Sequence, residues 1–165
     1  MSNFAFLPET FQAIAEAAHA AEGQIHADPR AACFHARFTL ETLVHWLFRH
    51  DPALRMPYDT RLAALLHEPT LQNLLPQAVF HKARAIHKVG NQAVHNPRPV
   101  QRPEALQAVR ELHHICCWLA RTYAPDPAVR VPGWQDALVP QPLQPGEVVP
   151  RQELERLAGE LAEHN

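Results

Sequence analysis

Prolines divide the sequence between residues 9 and 124 into segments of helical length. The chain has 165 residues, of which 16 are proline and five are glycine. Because proline interrupts an α-helix except in its first turn, each proline limits where a helix can lie. Within the segments, apolar residues recur every three or four positions, and no stretch alternates with period two as a half-buried strand does. The sequence therefore predicts an all-α bundle of about five helices without a sheet.

Proline positions and apolar periodicity also locate the individual helices along the chain. Asp28 precedes Pro29, a combination typical of a helix N-cap followed by proline in the first turn. Pro69 separates two short helical pieces from each other. The predicted helical segments are residues 9–26, 29–50, 60–68, 70–75, 77–95 and 103–123.

The composition changes after the last of these segments. Residues 1–125 are predicted to form the helical bundle domain, and residues 126–150, with six prolines, a proline-rich linker. Residues 151–165 are predicted to start another helix, because three leucines recur there at spacings of three and four: Leu154, Leu157 and Leu161. This helix is either the opening heptad of a truncated coiled coil or a short terminal helix packed on the bundle.

Composition and termini favour a cytoplasmic protein. No run of about 18 apolar residues is present to span a membrane, and residues 1–8 lack the basic start of a signal peptide. The three cysteines, Cys33, Cys116 and Cys117, form neither a disulfide framework nor a zinc-binding pattern. Cys33 and Cys116 fall on apolar stripes, which indicates packing rather than reactivity.

A polar stripe on the segment 77–95 is the first candidate site. At 100° per residue, Arg84, His87, Asn91 and His95 fall within an arc of about 80° beside the apolar face. Asn91 and His95, one turn apart, could orient each other or hold a phosphate together with Arg84. The stripe is thus a candidate phosphate or ligand site. The alternative is that these side chains cap loops and bond to neighbouring helices.

Basic residues around the stripe suggest nucleic acid as a partner. Residues 69–103 carry a net charge of +5 without any acidic residue, whereas the rest of the chain carries −7. The predicted nucleic-acid-binding residues are Lys82, Arg84, Lys88, Arg98 and Arg102. The alternative is a basic face that is merely solvated.

Gly90 lies inside the same predicted helix, where glycine costs about 1 kcal/mol relative to alanine. The expected reason is the close approach of another helix at Gly90 and Ala93, and the alternative is a break in the helix. Because this surface lies beside the polar stripe, a homodimer is predicted there.

Motifs of the common catalytic and cofactor sites are missing from the sequence. It contains no HExxH, no zinc-finger spacing, no GxSxG and no glycine-rich phosphate loop. The only serine is Ser2, at the start of the chain. We therefore expect no catalytic residue, no metal and no cofactor in these 165 residues.

Three stretches of the sequence resemble a known helical domain. They are residues 28–37 (DPRAACFHAR), residues 46–51 (WLFRHD) and residues 90–95 (GNQAVH). Together they resemble a domain of unknown function that stands at the N terminus of type I restriction enzyme R subunits and related helicase proteins. The resemblance covers about residues 1–125. It implies that the whole protein is a hydrolase, an ATP-dependent DNA translocase and endonuclease whose motor lies outside this sequence.

The same domain is similar to the HEPN superfamily, whose ribonucleases carry an R-N-x-x-x-H motif and tend to pair through this region. Asn91 and His95 match the motif, but its arginine position holds Gly90. Arg84 and His87, one or two turns earlier, are candidates to replace that arginine in space. Since arginine helps to neutralise the reacting phosphate, its loss argues against ribonuclease activity.

Three functions follow from these observations. The first is a non-catalytic module of an R subunit-like protein, which contacts nucleic acid, other restriction-modification subunits or the rest of its own chain. The second is a HEPN-type endoribonuclease, which the arginine before Asn91 would have favoured. The third is a helical domain that binds a small ligand or nucleotide in a pocket formed by the polar stripe.

Overall fold

The computed structural model of the chain describes residues 1–142, 155–156 and 158–160. Within these residues the fold is all helical and contains no strand, which confirms the predicted fold class. The described part has six α-helices, one more than the predicted number of about five. They are α1 (Gln12–Gln24), α2 (Pro29–His50), α3 (Leu62–Leu66), α4 (Pro69–Leu74), α5 (Gln77–His95) and α6 (Arg102–Tyr123). Two 3-10 turns, Glu9–Phe11 and Asp136–Leu138, lie outside them.

Local capping explains where several helices begin. The Asp28 carboxylate accepts a hydrogen bond from the Ala31 backbone N–H at 3.1 Å, with Pro29 as the first residue of α2. Glu68 caps α4 in the same way, since its carboxylate accepts from the backbone N–H of Thr70 at 2.7 Å. Each cap satisfies a backbone donor that the first turn leaves unpaired.

Helix α2 is the centre of the bundle and packs against α1, α5 and α6. Leu40, Leu43 and Leu47 of α2 are fully buried, as are Ile86 of α5 and Leu112 of α6. Burying a side chain of this size stabilises the fold by about 1.5–3 kcal/mol. The core therefore holds the three long helices together along most of their length.

At Gly90, α5 lies in close contact with α2. A Cβ atom at residue 90 would lie 2.5 Å from Cβ, 2.8 Å from Cδ and 3.0 Å from Cγ of Arg37. The predicted close approach of another helix at Gly90 is thus confirmed, and α5 continues unbroken to His95. Because the neighbouring helix belongs to the same chain, Gly90 provides no surface for a second copy. The homodimer itself stays a prediction.

Arg30 of α2 caps the C-terminal end of α5. Its guanidinium donates to the backbone carbonyls of Ala93, of Asn96 at 2.9 Å and of Arg98 at 2.7 Å. The last carbonyls of a helix lack partners within the helix and carry partial negative charge, which a guanidinium satisfies. Arg30 therefore holds the α5–α6 connection against the start of α2.

The N terminus and the proline-rich segment are joined through Asn3. Its backbone and side-chain N–H groups both donate to the buried carboxylate of Glu22 at 2.9 Å. The Asn3 side chain also donates to the Gln135 carbonyl at 3.0 Å and accepts from the Gln135 N–H at 2.7 Å. Since every bond joins segments distant in sequence, Asn3 fixes the start of the chain and the segment around Gln135 to α1.

Aromatic rings complete this attachment. The ring of Trp134 meets those of Phe4 and His113 edge to face, with centroids 6.3 Å and 5.5 Å apart. Val139 is buried against the bundle as well. Residues 126–142 thus contain no α-helix but pack on the helices. The division into domains at residues 125 and 150 stays a prediction.

Part of the predicted C-terminal helix lies outside the described residues. Residues 155–156 and 158–160 are helical, and Arg156 donates to Glu160 at 2.7 Å. Leu154, Leu157 and Leu161, on which the coiled-coil alternative depends, are not among the residues that the structure describes. No helix in the described part is long and apolar enough to cross a membrane.

Replacing Gly90 with alanine should destabilise the protein. The added Cβ meets the Cβ of Arg37, which cannot move away without its backbone, so α2 and α5 must separate. We expect Gly90→Ala to lower the free energy of unfolding by about 2 kcal/mol, measured by urea denaturation. The matched control is Gly23→Ala in α1, where no atom lies within 4 Å of the added Cβ. It should raise stability by about 0.5–1 kcal/mol. Equal effects of the two substitutions would contradict the close contact.

Acid should weaken the fold through His113. Burial is the main cause that lowers the pKa of His113 below its ordinary value of 6.5, and nearby Glu22 opposes the shift. The unfolded chain therefore binds more protons below about pH 6.5, so the free energy of unfolding falls as pH decreases through this range. We expect His113→Phe to reduce the slope of stability against pH between 7 and 5. An unchanged slope in His113→Phe would refute the explanation.

Candidate functional site

An open cleft lies between α5 and the α3 region and contains most of the predicted polar stripe. We call it the α3–α5 cleft, and its volume is 510 Å³. The side chains that line it come from residues 63–67 on one wall and residues 81–92 on the other. They are Ala63, Leu66, His67, His81, Arg84, Ala85, His87, Lys88, Asn91 and Gln92.

Three of the four stripe residues meet in this cleft. Arg84, His87 and Asn91 line it, whereas His95 lines a separate shallow hollow at the end of α5 with Asn96. Asn91 borders both hollows, so His95 lies next to the cleft but outside it. The structure thus brings three of the predicted residues together and leaves the fourth apart.

His87 and Asn91 form a hydrogen-bonded pair on the wall of the cleft. The Asn91 amide nitrogen lies 3.1 Å from Nε2 of His87. Because an amide N–H₂ group only donates, Nε2 accepts and the imidazole carries its proton on Nδ1. Burial, then the charge of Arg37 and the neighbouring His67, lower the pKa of His87 against the opposing effect of Glu41. At neutral pH His87 therefore offers the cleft an uncharged ring with an N–H donor.

Gly90, which stands where the motif of the sequence resemblance has arginine, is covered by a side chain of another helix. Gly90 is buried, and the atoms nearest to a Cβ built on it all belong to Arg37 of α2. Arg84 and His87, the two candidates from the sequence, instead line the cleft. Arg84 is exposed, and its guanidinium lies 5.9 Å from the centre of the Phe80 ring. Neither of the two candidates therefore takes the place that Arg37 occupies over Gly90.

The five predicted nucleic-acid-binding residues divide among different surfaces. Arg84 and Lys88 line the α3–α5 cleft, and Lys82 lines another cleft beside α6. Arg98 lies beyond the end of α5, where its guanidinium is 4.0 Å from the Glu104 carboxylate. Arg102 is exposed at the start of α6. The +5 charge of the sequence window is thus spread around α5 and its ends.

Two further histidines of the cleft were missed by the sequence analysis. His67 follows α3, and His81 lies one turn before Arg84 on α5. His81 is on the same helix as the stripe, so helical periodicity could have predicted that it lies near Arg84. His67 comes from another segment, and nothing in the local sequence indicates which part of α5 it faces.

The cysteines are not candidates for nucleophilic chemistry. All three are buried and free, which confirms the predicted packing role of Cys33 and Cys116. Burial raises the pKa of Cys33 and of Cys117 to about 11 and raises that of Cys116 as well. A thiol with so high a pKa forms almost no thiolate at neutral pH. Among the described residues, no group of three or more potential ligands could hold a metal ion.

Comparison with known proteins gives one family. The sequence model of the family described as "Domain of unknown function (DUF4145)" matches residues 19–163, most of the chain. Neither a curated protein nor a solved structure matches significantly. The matched range includes all of α2 to α6 and therefore every residue of the α3–α5 cleft.

Removing the charge of Arg37 should change the pKa of His87 measurably. Arg37→Met keeps the aliphatic stem that covers Gly90 but removes the charge that lowers the pKa of His87. We expect the pKa of His87 to rise in this variant, as followed by NMR titration of the imidazole C–H signals. Arg84→Met removes an equal charge from the same cleft and should leave that pKa in place. An identical shift in both variants, or none in Arg37→Met, would contradict the assignment.

Proposed function

The chain belongs to the DUF4145 family, whose description assigns no function, and we propose that it is a non-catalytic module that contacts the phosphate backbone of nucleic acid. The observation that carries the proposal is the charge of the α3–α5 cleft. Arg84 and Lys88 line it beside three histidines, and no acidic residue is among the described lining residues. A cleft of this kind attracts phosphate groups and holds nothing that repels them.

The cleft supplies the contacts that a backbone-binding surface uses. Arg84 and Lys88 are exposed and can each neutralise one phosphate, which releases condensed counterions and favours binding. Asn91 and Gln92 add neutral hydrogen-bonding groups, and His87 adds its Nδ1–H donor. Such contacts position a strand without selecting its base sequence. The proposal therefore concerns affinity and orientation.

Absence of catalysis is part of the same proposal. Cleavage of a phosphodiester needs proton transfer and stabilisation of the developing charge at one point. His95 lies in the neighbouring hollow, and Gly90 is covered by the stem of Arg37. His87 already accepts a hydrogen bond at Nε2 from Asn91. These positions favour a binding surface over a ribonuclease site.

The three sequence stretches that resemble R subunits support a context for the module. We place it at the N terminus of a type I restriction R subunit-like protein in the cytoplasm. Its partners there are nucleic acid and either the other restriction-modification subunits or the rest of its own chain. The translocase and endonuclease activities belong to that larger protein, and the module itself needs no cofactor.

Binding of a small ligand or nucleotide is the second candidate. Its support is the volume of the α3–α5 cleft, 510 Å³, which lies within the range of small-molecule sites. Salt separates the two candidates, because a specific pocket keeps its affinity at high ionic strength better than a surface that contacts phosphates.

Charge removal in the cleft should weaken nucleic-acid binding in a salt-dependent way. We expect the full chain to bind single-stranded RNA and DNA weakly, with an affinity that falls steeply with added salt. Arg84→Gln/Lys88→Gln should reduce the slope of log K against log salt by about 1.4, since each lost single-strand contact contributes about 0.7. Fluorescence anisotropy with labelled 12-mers between 50 and 200 mM salt measures both quantities.

The control variant removes two positive charges outside the α3–α5 cleft. Arg49→Gln/Arg55→Gln alters two exposed arginines outside the cleft and should leave the slope unchanged. A cleavage assay on structured and single-stranded RNA completes the test, with no product expected. Cleavage that disappears in His95→Ala would replace the proposal with the endoribonuclease. Binding that does not respond to salt would favour the small ligand.

A further inference from the structure

A second cleft lies between α6 and the segment Val131–Trp134, and the proposed function does not use it. We call it the α6 cleft, and its volume is 330 Å³. Lys82 of α5 lines it together with residues 107–121 of α6. It shares no lining residue with the α3–α5 cleft. Whatever binds in one cleft can therefore be tested separately from the other.

Two arginines stand at the ends of a row of side chains along the α6 side. Arg110, His114, Cys117 and Arg121 recur at spacings of four, three and four, which places them on one face of the helix. The eleven helical steps from Arg110 to Arg121 correspond to about 16 Å along the axis. Lys82 adds a third full charge from α5. The lining of the cleft thus carries a guanidinium at each end of this helix face and an ammonium group from α5.

These cations have no partner within the part of the chain that the structure describes. No ion pair or hydrogen bond joins the side chain of Lys82, Arg110 or Arg121 to a described neighbour. The one acidic side chain of the lining, Glu111, accepts a hydrogen bond from Gln107 at 3.2 Å. The net charge of the lining is therefore positive.

The pKa of His114 indicates that Lys82 and Arg121 both lie near this side chain. Its pKa is lowered by burial first, and then by the positive charges of Lys82 and Arg121. Cys117, the next residue of the row, is also affected by the charge of Arg121. An anion placed among them would relieve this repulsion.

The wall opposite α6 is held in position. Trp134 packs edge to face on His113, with centroids 5.5 Å apart, and on Phe4. The next residue, Gln135, exchanges two hydrogen bonds with Asn3. The cleft therefore exists without a ligand, which reduces the entropy that binding must overcome.

We propose that the α6 cleft binds an elongated ligand with two or more phosphate groups in a row. A single phosphate reaches one of the cations that line a row of about 16 Å, whereas a ligand with several phosphate groups meets more than one of them. Two sources share this chemistry, the triphosphate of a nucleotide and the backbone of a short oligonucleotide. The volume of 330 Å³ lies at the lower end of the range for small-ligand sites.

The first experiment compares inorganic tripolyphosphate with orthophosphate on the full chain. Isothermal titration calorimetry should give at least tenfold tighter binding of tripolyphosphate. NMR titration should show that tripolyphosphate raises the pKa of His114, since its negative charge offsets Lys82 and Arg121. His114→Gln assigns the signal. An unchanged pKa of His114, or equal affinity for the two anions, would overturn the proposal.

Matched variants locate the binding. Arg110→Gln/Arg121→Gln should weaken tripolyphosphate binding at least tenfold, and Lys82→Gln alone should weaken it in the same direction. Arg49→Gln/Arg55→Gln removes the same charge outside both clefts and should leave tripolyphosphate binding at the α6 cleft intact. An equal loss in both double variants, whose folding is verified by circular dichroism, would show non-specific attraction and refute the site.

Adenosine triphosphate and tetrathymidylate then distinguish the two sources. Tighter binding of adenosine triphosphate than of tripolyphosphate supports the cleft as a nucleotide site. Tighter binding of tetrathymidylate supports it as a site for a nucleic-acid backbone. If neither adenosine triphosphate nor tetrathymidylate competes with tripolyphosphate at the α6 cleft, the proposal is wrong. This holds whether or not the α3–α5 cleft binds nucleic acid.

Discussion

The close contact between α2 and α5 at Gly90 determines much of the arrangement around it. With no Cβ on residue 90, the stem of Arg37 lies directly on the α5 backbone, and both helices reach the same core. The contact buries one face of α5, so the polar residues beside that face remain available to the cleft. It also brings the charge of Arg37 close enough to lower the pKa of His87. One missing methyl group thus controls both packing and the electrostatics of the candidate site.

Polar side chains fix the ends of the elements that the core alone does not constrain. Arg30 satisfies the carbonyls that end α5, and Asn3 joins the N terminus, Glu22 and Gln135. Hydrogen bonds to charged groups are worth about 1.5–3 kcal/mol each, and an unpaired buried partner costs more. These bonds therefore favour one position for the α5–α6 connection and for the wall of the α6 cleft.

The two clefts divide the basic residues of α5 between them. Lys82 and Arg84 are two positions apart, which turns their side chains about 200° around the helix axis. One consequently faces the α6 cleft and the other the α3–α5 cleft. A net positive lining, together with histidines whose pKa is lowered, gives both clefts the means to attract phosphate rather than to exchange protons with it.

The sequence by itself determined the all-helical class, the bounds of α5 and the buried roles of the cysteines, because periodicity and proline positions act over a few residues. It also grouped Arg84, His87 and Asn91, since one helix carries all three. Only the tertiary structure decided that His67 joins them, that His95 lies in the next hollow and that Arg37 covers Gly90. Those outcomes depend on contacts between segments tens of residues apart, whose relative position is set by how side chains pack and not by local pattern.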